Sequence, residues 1–327
     1  MTVNKETSIS LAHFEALIAD KDALLAALAV ADTAPLLMVL IQLGGDPAWL
    51  DRLAPHITGP WSYHDETPVE LKLELQLAVV EALAACVRDG RLPEPLPSKE
   101  LLPKMLDVCT GQKVPPEYMP VALEEMDLLN EDPRAVHWRT QPSAETLEHF
   151  SVLVVGAGFS GVAMGIRLKQ AGIPYTIIEK NDSVGGTWYE NTYPGIGVDT
   201  ANHFYSYSFD VNHDWDHFFA KGDEILRYIR RNAEREEITA NTRFREEVTQ
   251  AQWDETAAVW RVKTQKADGT VIDYTANVLV SAVGQLNRAS MPSIDGLEDF
   301  KGPKFHTSNW DHSVSLEGKR VGMIGTG

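Results

Sequence analysis

Apolar positions in the first third of the chain recur at helical steps. Leu73, Leu77, Val80, Ala84 and Val87 are spaced three and four apart and form one face of a helix, with Gly90 where a C-terminal cap belongs. Similar stripes run from Leu11 to Val30 and from Leu36 to Leu43. Breaks fall at Gly44-Gly45-Asp46-Pro47, between His56 and Pro68, and between Pro93 and Pro97. This predicts a small all-α layer of four to six helices. Asn130 to Ser143, with Pro133 and Pro142 and little periodicity, reads as a connection.

The period then changes. Val152 to Val155 is an unbroken β-branched and leucine run, which predicts a central parallel strand covered on both faces. A glycine turn and a helix to Gln170 follow, then a second apolar run from Tyr175 to Ile178. Gly222 to Glu236 predicts a helix. Arg243 to Val283 reads as a β-meander around Trp253 and Trp260, with Asp268-Gly269 as a tight turn. Lys319 to Gly327 again reads as a strand running into Gly-x-Gly. The class is α/β, a helical layer followed by a Rossmann-like domain.

The chemistry sits at the first glycine turn. In Gly156-Ala157-Gly158-Phe159-Ser160-Gly161, Gly156 permits the tight turn, Gly158 lets the backbone approach phosphate, and Gly161 lets helix and strand pack closely. The helix N-terminus offers free N–H groups and a favourable dipole to a pyrophosphate. Glu179, at the end of the second strand, stands where a carboxylate accepts from ribose hydroxyls. Gly185-Gly186-Thr187-Trp188 through Tyr193-Pro194-Gly195 to Asp199 could lie against a flat ring system, with Trp188 and Tyr193 as walls.

Composition narrows the partners. The net charge of -18 disfavours nucleic acid and anionic membrane surfaces. Two cysteines, Cys86 and Cys109, with no Cys/His cluster argue against a disulfide framework or a metal site. His13, His56 and His64 are isolated. No apolar run reaches membrane-spanning length, and Met1 to Ser10 lacks a signal pattern, so the expectation is cytoplasmic.

Three motifs together carry a family resemblance. They are the Gly185 to Asp199 loop directly after the glycine unit, the Ser281-Ala282-Val283-Gly284-Gln285-Leu286-Asn287 segment, and Phe300-Lys301-Gly302-Pro303-Lys304-Phe305-His306-Thr307-Ser308-Asn309-Trp310-Asp311. The last matches the fingerprint FxGxxxHxxxW followed by Pro or Asp. The chain therefore resembles the type I Baeyer–Villiger monooxygenases, class B flavoprotein monooxygenases.

That resemblance implies FAD and NADPH as cofactors, O2 and a small-molecule ketone as substrates, and an ester or lactone as product. It divides the chain into a helical N-terminal extension (1–143), the first segment of an FAD-binding domain (144–299), and a fingerprint linker with the start of an NADPH-binding domain (300–327). The implied FAD contacts are Gly156, Gly158, Ser160, Gly161, Glu179, Lys180, Gly186, Thr187, Trp188, Tyr189, Val198, Asp199 and Tyr205, with Val248 meeting adenine through its backbone. Asp199 is the implied partner of a catalytic arginine expected beyond Gly327. His306 and Trp310 are implied in conformational control of oxygenation. Gly197 departs from the pattern, where an arginine is frequent. The extension, absent from most members, is expected to pack either on its own catalytic body or on a second subunit as a homodimer. The chain is expected to be an incomplete piece with little turnover of its own. An N- or S-oxygenating flavoenzyme, or a non-catalytic FAD-binding fragment, remain the alternatives.

Overall fold

The computed structural model describes residues 9–59, 64–93, 97–98, 100–125, 134–202, 204–212 and 214–325. The chain divides into two units, Met1–Pro133 and Arg134–Gly327.

The first unit is built from α1 (Leu11–Ala19), α2 (Lys21–Ala29), α3 (Thr33–Gln42), α4 (Ala48–Leu53), β1 (Ile57–Thr58), β2 (His64–Asp65), α5 (Val69–Arg88), α6 (Leu102–Thr110) and α7 (Met119–Glu125). That is more helices than the stripes suggest. Asp20 cuts the first stripe in two, ending α1 and accepting from the Ala23 N–H at 3.0 Å to start α2. Nor is the layer purely helical, because Ile57 pairs with Asp65 and Thr58 with His64 in a short antiparallel ladder. Leu37, Leu40, Leu50, Leu53, Ile57 and Leu75 are fully buried, each contributing about 2 kcal/mol of apolar burial. Part of the Pro93 to Pro97 break lies outside the described residues.

The longest helix, α5, buries a different face from the one its stripe marks. Leu75, Val79, Leu83 and Cys86 enter the core, whereas Leu73 and Leu77 are 54% and 56% exposed. The helix is apolar on two opposite faces, and its packing against α1 and α3 selects one. It ends as expected. Gly90 is left-handed, its N–H bonds Val87 and the Arg91 N–H bonds Cys86, which satisfies the last carbonyls.

The second unit contains α8 (Ala144–Glu148), β3 (Val152–Val155), α9 (Phe159–Ala171), β4 (Tyr175–Ile178), α10 (Thr187–Glu190), α11 (Gly222–Arg235), β5 (Thr242–Arg243), β6 (Glu246–Asp254), β7 (Val259–Lys266), β8 (Val271–Ala276) and β9 (Val278–Ser281). A parallel sheet runs β5-β4-β3-β9, with the β-branched strand β3 inside it as predicted. The meander is narrower than the sequence suggests. Only β6, β7 and β8 form it, with Trp253 opposite Trp260, while β5 and β9 join the parallel sheet. Arg245, left-handed at φ 58°, turns the chain from one sheet into the other. The expected strand from Lys319 does not form. Among the described residues nothing pairs with it, and Val321, Met323 and Ile324 stay exposed, so the ladder that defines a strand is missing. Gly327 lies outside the described residues.

Helix α11 is held by a buried carboxylate. Asp210 accepts from Arg231 at 3.0 Å, from Asn232 at 2.9 Å and from Arg235. Burial opposes the charge of Asp210, but Arg235, Asn232 and Arg231 outweigh it and hold the carboxyl below its usual range.

Candidate dinucleotide site

The carboxyl ends of β3, β4 and β9 open onto a cleft of about 220 Å³, where ligands of open α/β sheets bind. Its floor is the glycine elbow. Gly156, at φ 100°, has no room for a side chain, since a Cβ there would stand 2.6 Å from the Ala282 carbonyl oxygen. A Cβ on Gly161 would lie 1.9 Å from the Gly156 oxygen, which is why α9 can sit so close to β3. No side chain caps the N-terminus of α9, so its first-turn donors face the cleft.

The tryptophan loop lies against this elbow. The Gly185 N–H donates to the Ala157 oxygen at 3.0 Å, and a Cβ on Gly186 would come within 2.8 Å of Gly158 Cα. Here α10 raises Trp188, whose Nε1 donates to the Tyr205 hydroxyl at 3.1 Å with the rings edge-on at 5.7 Å. Phe159 packs 5.2 Å from Tyr205 and 4.3 Å from Tyr207, and the Tyr207 hydroxyl donates to the Phe159 carbonyl at 2.8 Å. The result is a fixed aromatic wall. Burial, assisted by the charge of Asp199, pushes the Tyr205 hydroxyl pKa up, so it stays neutral.

Glu179 is buried at 4% exposure, and its oxygens accept from the Ala157 N–H at 2.7 Å and the Asn181 N–H at 2.8 Å. Each oxygen retains a lone pair for a further donor. These features fit an adenine dinucleotide: an uncapped helix start for the pyrophosphate, a carboxylate for ribose, and backbone approach where no Cβ stands.

Of the residues singled out from sequence, Gly156, Gly158, Ser160, Glu179, Lys180, Gly186, Thr187, Trp188, Tyr205 and Val248 line the cleft. Gly161 lies beneath it as a packing contact. Tyr189 turns away, its hydroxyl donating to Asp182 while Arg230 stands 5.8 Å over its ring. The Val198 N–H donates to Ala220 at 3.0 Å, and Asp199 is exposed beside Thr200. His306 is occupied locally, its Nδ1 accepting from the Ser308 N–H at 3.1 Å, and Trp310 packs edge-on to Phe305 at 5.2 Å. Neither lines the cleft. Tyr193 does not line it either.

Sequence reasoning passed over Glu190, Glu246, Asn287 and Arg288, which do. Asn287 stood in the quoted segment after β9 but was not marked as a site residue. Among the described residues, no three His, Cys, Asp or Glu side chains gather as metal ligands would, and no helix is long and apolar enough to cross a membrane.

A family model of the pyridine nucleotide-disulphide oxidoreductases matches residues 153–327. An uncharacterized monooxygenase, y4iD, of Sinorhizobium fredii is 34% identical over 319 residues, 97% of this chain and 47% of that protein. A Baeyer–Villiger monooxygenase of Pseudomonas aeruginosa is 40% identical over 199 residues, 61% of this chain and 37% of that protein. A solved structure of an oxidized steroid monooxygenase bound to NADP shares 39% identity over 54% of this chain and 34% of that one, with a TM-score of 0.49. The chain thus spans about half, or less, of the length of the relatives it matches. Both cysteines precede the matched region, so the dithiol chemistry in the family's name has no thiols there. The chain belongs to the pyridine nucleotide-disulphide oxidoreductase family, and over its matched part it is 40% identical to Baeyer–Villiger monooxygenases.

Proposed function

We propose that this chain holds FAD in the crevice above β3 and serves an FAD- and NADPH-dependent monooxygenase that inserts one oxygen of O2 beside a ketone carbonyl, giving an ester. The observation that supports this most is the contact between the glycine elbow and the tryptophan loop, Gly158 against Gly186, which joins an anion seat to an aromatic wall. Bound FAD supplies the electron relay between NADPH and O2. The chain's own residues do the positioning. The α9 N-terminus takes the pyrophosphate, Glu179 accepts from ribose, and the Val248 backbone meets adenine. Trp188, Tyr205 and Phe159 keep water from one side of the cleft.

Asp199, His306 and Trp310 have roles at one remove from this cleft. Asp199 positions an arginine, and His306 with Trp310 controls the approach of the nicotinamide by movement of their linker. The organisation follows the implied segments: helical extension 1–143, FAD-binding segment 144–299, and linker with the start of an NADPH-binding domain 300–327. We favour an aryl ketone as substrate, such as 4-hydroxyacetophenone going to 4-hydroxyphenyl acetate, in the cytoplasm. The support is the helical unit, which falls within the alignment to the S. fredii monooxygenase over 97% of the chain. Val69, Leu73 and Leu77 on α5 offer an apolar surface for homodimer formation.

The test is oxygenation by a full-length enzyme carrying this segment, supplied with FAD and NADPH, with an aryl ketone, an amine and a sulfide compared in parallel. Ester from the ketone supports the reading. N-oxide or sulfoxide without ester assigns the protein to the heteroatom oxygenases instead.

A further inference from the structure

The cleft carries a bond between two of its own lining residues, Asn287 and the implied FAD contact Lys180. In the sheet order β5-β4-β3-β9, the chain leaving β4 and the chain leaving β9 stand on opposite sides of β3. Lys180, just past β4, donates from Nζ to Oδ1 of Asn287 in the loop after β9, at 2.7 Å. The same ammonium lies 2.9 Å from Glu190 Oε1 on α10, and that carboxylate also accepts from Asn181 Nδ2 at 2.8 Å. Asn287 Nδ2 donates to the Val283 carbonyl at 2.9 Å. The amide orientation is therefore self-consistent, since turning it would set NH2 against the ammonium. Lys180, Glu190 and Asn287 all line the cleft. With β3 between β4 and β9, the bond links the two banks of the cleft whose floor is the elbow.

We propose that the Lys180–Asn287 bond is a strap that must part whenever an adenine dinucleotide passes into or out of the crevice, and so sets the speed of both passages. This rests on the dinucleotide reading given above. Asn287 belongs to a loop whose neighbours Gln285, Leu286 and Arg288 are exposed, and Lys180 keeps Glu190 as a partner without it. A charge-assisted hydrogen bond at partial exposure is worth roughly a fivefold change in an equilibrium or a rate.

The experiment is stopped-flow mixing of FAD with the purified protein, followed by displacement, both read by flavin fluorescence. Asn287→Ala removes the crossing bond while leaving the Lys180 charge in place, and should speed association and release alike by about fivefold. Asn287→Asp turns the strap into an ion pair and should slow both. Both variants lose the amide donor to Val283, but Asn287→Asp also adds a negative charge that repels an anionic dinucleotide. That repulsion persists in a Lys180→Met background, so the part of the difference that Lys180→Met removes reports on the strap, and it should be the larger part. Variants that shift rates in the same direction, or a slower association in Asn287→Ala, would overturn the strap. Wild-type protein that binds no FAD would overturn the dinucleotide reading as well, whereas wild-type binding with unaltered variant rates overturns the strap alone.

Discussion

Two glycines three residues apart should fail in different ways when given a methyl group. In Gly161→Ala the new Cβ would stand 1.9 Å from the Gly156 carbonyl oxygen. An ordinary C···O contact is about 3.3 Å, so α9 must withdraw from β3 by more than about 1 Å. The obstacle is backbone, which no rotamer change relieves. A shift of that size in a packed interior costs about 3 kcal/mol, or roughly 6 to 12 °C in melting temperature for a unit of this size. Gly158→Ala is different. Its φ of -75° suits any residue, and the nearest atom to the new Cβ, Gly186 Cα, is at an ordinary 3.4 Å. The fold should lose no more than about 1 kcal/mol, the difference between glycine and alanine at a helix N-cap. The methyl, however, occupies the place where phosphate must approach the backbone, so FAD affinity should fall at least about tenfold, some 1.4 kcal/mol. Differential scanning fluorimetry and fluorescence titration of FAD measure the two quantities separately. Equal loss of melting temperature in both variants, or a Gly161→Ala protein melting like wild type, would refute the packing argument.

Glu179→Gln should cost about 2 kcal/mol in a denaturant titration, because whichever way the amide turns, its NH2 meets the Ala157 or the Asn181 N–H. In the helical unit, burial opposes the charge of Asp65, but Lys72 at 2.8 Å, Thr33 at 2.6 Å and Thr67 outweigh it and hold the carboxyl far below the ordinary range. A depressed carboxylate contributes stability that is complete above its unfolded pKa of 3.8 and is lost as pH falls through the folded value. Asp65→Asn should therefore cost about 1 kcal/mol at pH 7 and leave stability flatter below pH 4, read by circular dichroism against pH. Asp210→Asn leaves Arg231 and Arg235 without their anion at a site only 6% exposed. It should cost about 3 kcal/mol of unit stability by calorimetry, a penalty that shrinks in acid where the wild-type carboxylate also protonates.

What the sequence disclosed depended on whether the determining contacts were local. The elbow, β3, β4 and Glu179 were readable because a strand–turn–helix closes within one short stretch and each glycine has a single steric reason to be there. The meander turn was readable for the same reason. The buried face of α5 was not, because Leu73, Leu77 and their neighbours satisfy helical spacing as well as Leu75, Val79 and Leu83 do, and only α1 and α3 decide between them. Asn287 was missed at the cleft because its partner, Lys180, is distant in sequence, and Glu190 because a carboxylate inside an aromatic loop gives no sign of which way it turns. An isolated asparagine carries no pattern that announces such a bond. Tyr189 was misdirected by the opposite error: its place in the motif suggested the cleft, while Asp182 and Arg230 draw it aside.

The pairing of β3 with β9 joins Val152 to Val278 across the whole intervening chain, and Ser151 to Asn277 at a separation of 126 residues. Contacts so remote are slow to find, since the loop between them must lose its freedom before the ladder compensates. During synthesis the glycine elbow is complete long before the strand that forms its far bank leaves the ribosome. A nascent chain halted in the meander would present the phosphate seat with one side missing, and stable cofactor capture should begin only after Ser281 has emerged.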